Sequence, residues 1–402
     1  MIHKHDVIIA GAGIIGLAIS RALLLEEPRL KVLVVEKEKT LGAHASGRNS
    51  GVLHAGFYYT PESLKAKFCR DGNAEIRKLA ERHSIPIRNV GKVVVARNAE
   101  EFSRLDLLFK RGQANGVKLE FLDARDLTDF EPLAKTHGAF LWSPTTGVSD
   151  PEKLIKALAK EVLTLGVEIR FGSAVEVDSD EALSLNGEKL TTKHFINAAG
   201  SQSDRIAHKF NLGLDYSMIP FMGVYRAVNA DRLPLQRLVY PVPHPLNPFL
   251  GVHFTLTSDY KVKIGPTAIP VLGREQYGFT DGFTLPDIQS SVAGLTSMVR
   301  HGTHDLSKLI KSEWPKIFTS KLVREVTDLV PSVAAVQGWE RRPPGIRSQL
   351  IHRPTGRLEQ DFVVEQNSNS THILNAVSPG WTSAIPFGRH ISDLALRVLS
   401  SS

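Results

Sequence analysis

The sequence contains a single cysteine, Cys69, in 402 residues. One thiol excludes an intrachain disulfide and a thiolate cluster for zinc or iron–sulfur chemistry, and it fits a reducing compartment. Redox work would then fall to a bound cofactor. No uninterrupted apolar run approaches the ~20 residues that a membrane-spanning helix needs, so the chain reads as soluble or peripheral. Internal repeats and low-complexity linkers are absent. No run of Lys or Arg points at nucleic acid. A strand pattern begins by Asp6, leaving no stretch for a signal or transit peptide, so none is expected unless it has been removed. The location expected is cytoplasmic, with or without peripheral contact with an inner membrane, or mitochondrial in a eukaryote after loss of a presequence.

What is present is ordinary in bulk: 42% apolar residues, 23% charged residues and a formal charge of +7. The length predicts one two-lobed unit or two domains. The positive charge is compatible with nucleic acid, an anionic membrane face or an acidic substrate.

The N-terminus carries the sharpest pattern. Asp6 to Ala10 is an apolar, β-rich run of the kind found in a central parallel strand. Gly11-Ala12-Gly13-Ile14-Ile15-Gly16 follows, then a helical pattern through Leu24, then a second strand from Lys31 to Val35 that ends at Glu36 and Lys37. Strand, glycine turn, helix, strand and acid make one dinucleotide-binding unit. Gly11 permits the tight turn, Gly13 lets backbone N–H groups approach a pyrophosphate, and Gly16 lets the helix pack on the strand. The helix N-terminus faces the phosphates with unpaired donors. Glu36 would accept from a ribose hydroxyl.

Two later segments read as strands of the same sheet. His194 to Gly200 stops at Ala199-Gly200, with Ser203 and Asp204 placed to cap the next helix. Thr371 to Asn375 precedes Ser378-Pro379-Gly380 and a helix expected from about Thr382. The fold class expected is α/β: a Rossmann-like dinucleotide-binding domain interrupted by a mixed α+β substrate lobe. Residues 1–85, 150–215 and 335–402 are assigned to the cofactor domain, and 86–149 and 216–334 to the substrate lobe. The second lobe holds several prolines, among them Pro241, Pro243, Pro245 and Pro248.

Leu41 to Tyr59 contains the block Ser46-Gly47-Arg48-Asn49-Ser50-Gly51-Val52-Leu53-His54-Ala55-Gly56. With the first dinucleotide unit, with Tyr240 to Pro243, with Pro248 to Thr255 and with Gly265-Pro266, it resembles the L-2-hydroxyglutarate dehydrogenase branch of the D-amino-acid oxidase-like flavoproteins. That resemblance implies non-covalent FAD, with Ser46, Arg48, Asn49, Ser50 and Gly51 running beneath the flavin and Val175, in a strand-like stretch from Val167 to Val177, contacting adenine through its backbone. Gly380, Trp381 and Thr382 would open a helix aimed at the flavin, whose dipole would stabilise the reduced anion.

The same resemblance places His54 beside the flavin as a general base, imidazole having a suitable pKa of ~6.5. His253 lies in a segment that the family places over the flavin, and it could serve as the base or hold the substrate; spacing does not decide between the two. Gly345-Ile346-Arg347 resembles the segment whose arginine holds the substrate's carboxylate, a task suited to the guanidinium fork. Tyr58, Tyr59 and Tyr240 are candidate pocket hydroxyls. A second carboxylate would need a second cation, left open among Arg226, Arg274 and Arg324.

Three segments depart from the branch. Ser378-Pro379-Gly380-Trp381-Thr382 stands where it usually shows Ser-Pro-Ala-Ala-Thr, and Arg342-Pro343-Pro344-Gly345-Ile346-Arg347 where it usually shows Gly-Pro-Ala-Gly-Val-Arg. Lys263-Ile264-Gly265 is similar to the Lys-Leu-Gly of monomeric sarcosine oxidases, which implies a catalytic Lys263 that promotes reaction with oxygen. The expected reaction is FAD-dependent oxidation of a 2-hydroxy acid, foremost L-2-hydroxyglutarate, with a quinone, carrier protein or oxygen as acceptor. The alternatives are an amine or amino-acid oxidase releasing peroxide, an NAD(P)H-dependent flavin reductase, for which a second glycine-rich unit is missing, and a non-catalytic flavin-binding module. No nucleic acid and no metal are expected; peripheral contact with a quinone-bearing membrane is compatible with the basic charge.

Overall fold

The computed structural model describes residues 3–178, 181–243, 249–278, 282–303 and 305–401. Pro245 and Pro248 lie outside the described residues. Among those described, the strands form an eight-stranded sheet, a ten-stranded sheet and a two-stranded ribbon.

The first sheet is built around the opening strand His3–Ala10, which pairs in parallel with Val32–Glu36 on one side and Glu188–Asn197 on the other. Ser370–Asn375 and Glu168–Phe171 extend it in parallel on the two flanks. Parallel strands buried on both faces need apolar side chains throughout, as in Val7, Ile8, Ile9 and Val32 to Val35. The opening helix Ile14–Glu26 is buried along most of its length, packed against the C-terminal helix Gly380–Ser401 and the helix Pro151–Thr164.

The second sheet centres on Tyr216–Asn229, paired antiparallel with Lys261–Gly265 and Glu340–His352; beyond them come His253–Leu256, Leu238–Pro241, Lys92–Val95 and Ala139–Ser143. The expected boundary between 334 and 335 is corrected by this pairing. Glu340–His352 and Arg357–Leu358 belong to the second sheet, and the chain returns to the first sheet only at Val363–Gln366. Pro343 and Pro344 fall opposite Val224, where the register shifts between Gly223 and Tyr225, and a bulge is where a strand tolerates missing N–H donors.

Three local expectations also change. Val167 to Val177 is not one strand: Gly172, at a φ of +73°, turns the chain between Glu168–Phe171 and Glu176–Val177. Ser203 and Asp204 do not cap the helix Ser203–Lys209; Asp204 is drawn away to the buried guanidinium of Arg274 and to Met218 N–H. The final helix begins at Gly380, two residues before Thr382.

Candidate active site

A cavity of about 620 Å³ lies between the two sheets, within the ordinary range for a bound small molecule. One end is made by the first sheet. Gly11, Gly13, Ile14, Ile15, Glu36 and Lys37 line it, with Ser46, Arg48, Asn49 and Ser50 from the following loop, Val175, Ala199 and Gly200. Gly11 sits at a φ of +103°, and a Cβ there would overlap Ala198 O. Gly16 does not line the cavity: a Cβ on it would strike Gly11 O, so its role is helix–strand packing. Gly13 caps the helix with no side-chain bond, leaving donors toward the cavity. Ser46 Oγ accepts from Ile14 N–H at 3.0 Å, tying the loop to the helix start. Glu36 accepts from Ala12 N–H at 2.9 Å and Glu38 N–H at 3.0 Å, which fixes its carboxylate beside the turn.

The loop is braced by its own side chains. Asn49 Oδ1 accepts from Gly51 N–H at 2.8 Å while Asn49 Nδ2 donates to Ser46 O at 2.9 Å. Arg48 Nε donates to Ala43 O at 2.7 Å, and its guanidinium lies 4.1 Å from the Tyr277 ring. Neither Gly51 nor Thr382 lines the cavity. Thr382 Oγ1 accepts from His54 N–H at 3.2 Å and donates to Val52 O at 3.3 Å, so it anchors the histidine strand to the final helix.

The other end is made by the second sheet. His54, Tyr240, His253 and Arg347 line the same cavity, along with Phe221, Tyr225 and Phe249. Arg347 has no carboxylate partner among the described residues; its guanidinium lies 4.9 Å from the Phe249 ring, and burial pulls its pKa down. His253 Nδ1 lies 2.8 Å from Gly251 O. A carbonyl only accepts, so Nδ1 carries the hydrogen and Nε2 keeps a lone pair. Burial pushes His253 down to about 3, with the charges of Lys92, Lys263 and Arg347 adding to it. His54 is held well below its ordinary value, first by burial and then by Lys92, His253 and Arg347. Both rings are therefore neutral near pH 7.

Several expected residues stand apart from the cavity. Tyr58 and Tyr59 do not line it, and Lys263 sits one layer behind, its ammonium 4.5 Å from the ring of Tyr225, which does line it. Arg226 donates to Thr319 Oγ1, Tyr225 O and Ile317 O, and Arg324 lines a separate surface pocket. Arg274 reaches the cavity wall but its charge is taken by Asp204. With Tyr225 between Lys263 and the cavity, Lys263→Met is expected to leave reoxidation of the reduced enzyme by air unchanged in stopped flow; a slower rate would restore a direct role.

Sequence reasoning missed His44, Gln202, Tyr225 and Tyr277 as cavity residues. They come from four separate segments, and none carries a local signature. It also missed Lys92, for which a signal existed: a lysine opening the otherwise apolar run Val93-Val94-Val95.

The residues present fit FAD. The glycine turn at the helix start suits a pyrophosphate, Glu36 suits a ribose, and Trp381 Nε1 is a buried donor on the cavity wall without a partner among the described residues. Comparison with known proteins agrees. A family profile described as FAD dependent oxidoreductase matches residues 6–394. L-2-hydroxyglutarate dehydrogenase of Caenorhabditis briggsae, a mitochondrial protein, is 35% identical over 412 residues, covering 98% of this chain and 93% of its own. The Escherichia coli K12 protein of the same name is 32% identical over 409 residues, covering 99% and 94%. Among solved structures, dithionite-reduced L-alpha-glycerophosphate oxidase from Mycoplasma pneumoniae with FAD bound is similar at a TM-score of 0.73 and 25% identity, covering 99% of this chain and 95% of that one.

Proposed function

The chain belongs to the FAD dependent oxidoreductase family and is an FAD-dependent enzyme, and from that premise we propose that it oxidises L-2-hydroxyglutarate to 2-oxoglutarate. The observation that carries this reading is Arg347, a cation on the cavity wall with no acid among the described residues to neutralise it, sharing with two neutral histidines a cavity large enough for a small acid. A guanidinium fork without a protein carboxylate is a site for a substrate carboxylate. The relatives named L-2-hydroxyglutarate dehydrogenase, aligned over nearly the whole chain, support the choice of acid.

Non-covalent FAD, which the glycine turn, Glu36 and the Ser46 to Ser50 loop would hold, would supply a two-electron acceptor for the hydride of the substrate's C2. Arg347 holds the adjacent carboxylate and so sets the orientation of C2. The hydroxyl proton goes to His253 Nε2, because Gly251 O fixes the proton of Nδ1 on the far side of the ring. This exchanges the order of preference read from sequence, in which His54 came first. His54 is pinned by its own backbone, its N–H to Thr382 and its C=O to Asn73 Nδ2 at 3.0 Å, and it orients the substrate as a hydrogen-bond partner. The walls exclude water: Tyr240, Phe221 and Phe249 bring apolar surface against the reacting carbon.

Anaerobic bleaching of the flavin tests the reading. The L enantiomer of 2-hydroxyglutarate is expected to bleach it, while the D enantiomer and L-glutamate leave it yellow. Bleaching by an amino acid with release of peroxide in air would instead make the protein an amino-acid oxidase.

A further inference from the structure

A buried charge behind the cavity wall has no use in that scheme. Lys92 opens the strand Lys92–Val95, is fully buried, and its Nζ has no hydrogen-bond partner among the described residues. Three aromatic rings cage it: Phe57 at 4.5 Å, Tyr58 at 4.5 Å and Tyr240 at 4.7 Å from ring centroid to Nζ. Rings can hold a cation by their π faces but leave its charge uncompensated. Tyr240 reaches the cavity, and its ring stacks on His253 with centroids 3.8 Å apart and planes at 23°. Lys92, Tyr240 and His253 thus form a column running from the buried ammonium to the cavity.

A dicarboxylate needs a second cation besides Arg347, and the three arginines that the sequence left open are engaged or lie elsewhere. Arg274 is paired with Asp204, Arg226 donates to a hydroxyl and two carbonyls, and Arg324 lies in the other pocket. Lys65 and Lys263 each feel a nearby acid, Asp361 and Asp259 respectively. Among the described residues no acidic side chain acts on Lys92, and Cys69, the one ionisable group that could offset its charge, is itself held protonated by burial. We infer that Lys92 is the specificity-determining charge for a substrate with a second carboxylate, acting across the aromatic wall as a positioning residue rather than by contact. This rests on the hydroxy-dicarboxylate reading and names the residue behind it. Charge attraction falls off only as the inverse of distance, and the water-excluded wall weakens screening, so contact is not required.

The ammonium's surroundings set when it acts. The titratable groups facing it are Tyr58 and Tyr240, Cys69 from the helix Leu64–Arg82, and the two cavity histidines. Burial pushes both tyrosines up and Cys69 up to about 12, and it pushes both histidines down, so all five are neutral at pH 7. Burial brings Lys92 itself down to about 7. It is charged below that value and loses its charge above it, unless an anion enters and holds the proton on.

Lys92→Met keeps the bulk and removes the charge. Calorimetric titration of the FAD-loaded enzyme with glutarate and with butyrate reads the distal carboxylate alone. Wild type is expected to bind glutarate more tightly than butyrate, and Lys92→Met to weaken glutarate by at least about 10-fold while leaving butyrate nearly unchanged. In wild type the glutarate preference should fade as the pH rises from about 6 to about 8.5, while Lys92→Arg, which stays charged, should keep it throughout. Equal weakening of both acids, or no change in either, overturns the inference. Should Lys92→Met fail to fold, the pH series on wild type and Lys92→Arg decides alone. A Lys92-dependent glutarate preference in a protein that no hydroxy acid bleaches would sink the dehydrogenase reading and leave this one standing; bleaching by L-2-hydroxyglutarate with an unchanged preference in Lys92→Met would do the reverse.

Discussion

Replacing Arg347 with methionine is expected to lower kcat/KM for L-2-hydroxyglutarate by about 1000-fold, roughly 4 kcal/mol, because a carboxylate left in a water-poor cavity without its charged partner loses both Coulomb attraction and two parallel hydrogen bonds. The loss should fall on KM and kcat together, since Arg347 both binds the acid and aims its C2. Arg347→Lys retains the charge and loses the fork, so it should recover only part of the loss. FAD content, read from flavin absorbance, should not change in either variant, because Arg347 stands on the second sheet, at the opposite end of the cavity from the glycine turn. Nor should the fold suffer. Burial already lowers the pKa of this guanidinium, and no acid among the described residues depends on it, so the methionine variant should melt no lower than wild type. Retention of kcat/KM within about 10-fold would mean that another group anchors the carboxylate.

How far the sequence foretold this site depends on how local each feature is. Gly11, Gly13 and Glu36 were legible because spacing along a few dozen residues specifies the whole unit of turn, helix start and acid, while the Ser46 to Ser50 loop was legible only through the family resemblance. The structure brings all of them to one end of the cavity. Arg347 and His253 were legible as residues but not as partners, since they lie on different strands separated by Tyr216–Asn229 and Lys261–Gly265. Lys263 shows the limit of likeness. It pairs in register with Ala227 and Thr255, and the same motif can carry a side chain into the cavity or, as here, behind Tyr225. The boundary at 334 and 335 falls short of the strand Glu340–His352, whose pairing with Tyr216–Asn229 joins segments more than a hundred residues apart and leaves no local mark. Lys92 carried a signal, a lysine opening an apolar run, but nothing local foretold its surroundings. Its cage comes from Phe57, Tyr58 and Tyr240, which only tertiary packing brings together, and a lone lysine in a sequence is ordinarily a solvated one.

The histidine pair should separate by pH and by kinetic constant. A base must be neutral to act, and burial lowers both rings, so the acid limb of kcat/KM, which reports the free enzyme, should lie below the ordinary imidazole value of ~6.5. The sign then reverses on binding: two carboxylates favour the protonated ring, raise its pKa, and move the acid limb of kcat to higher pH than that of kcat/KM. His253→Asn is expected to lower kcat by about 1000-fold, the usual scale for a lost general base, and to abolish the acid limb. His54→Asn should mainly raise KM and keep the limb, because its ring holds the substrate and takes no proton. Rapid-reaction measurement of flavin reduction across the pH range, in both variants, separates the two roles without interference from the acceptor. If His54→Asn is the one that loses the limb, the base is His54, and His253, its Nδ1 hydrogen held by Gly251 O, serves only to position the substrate.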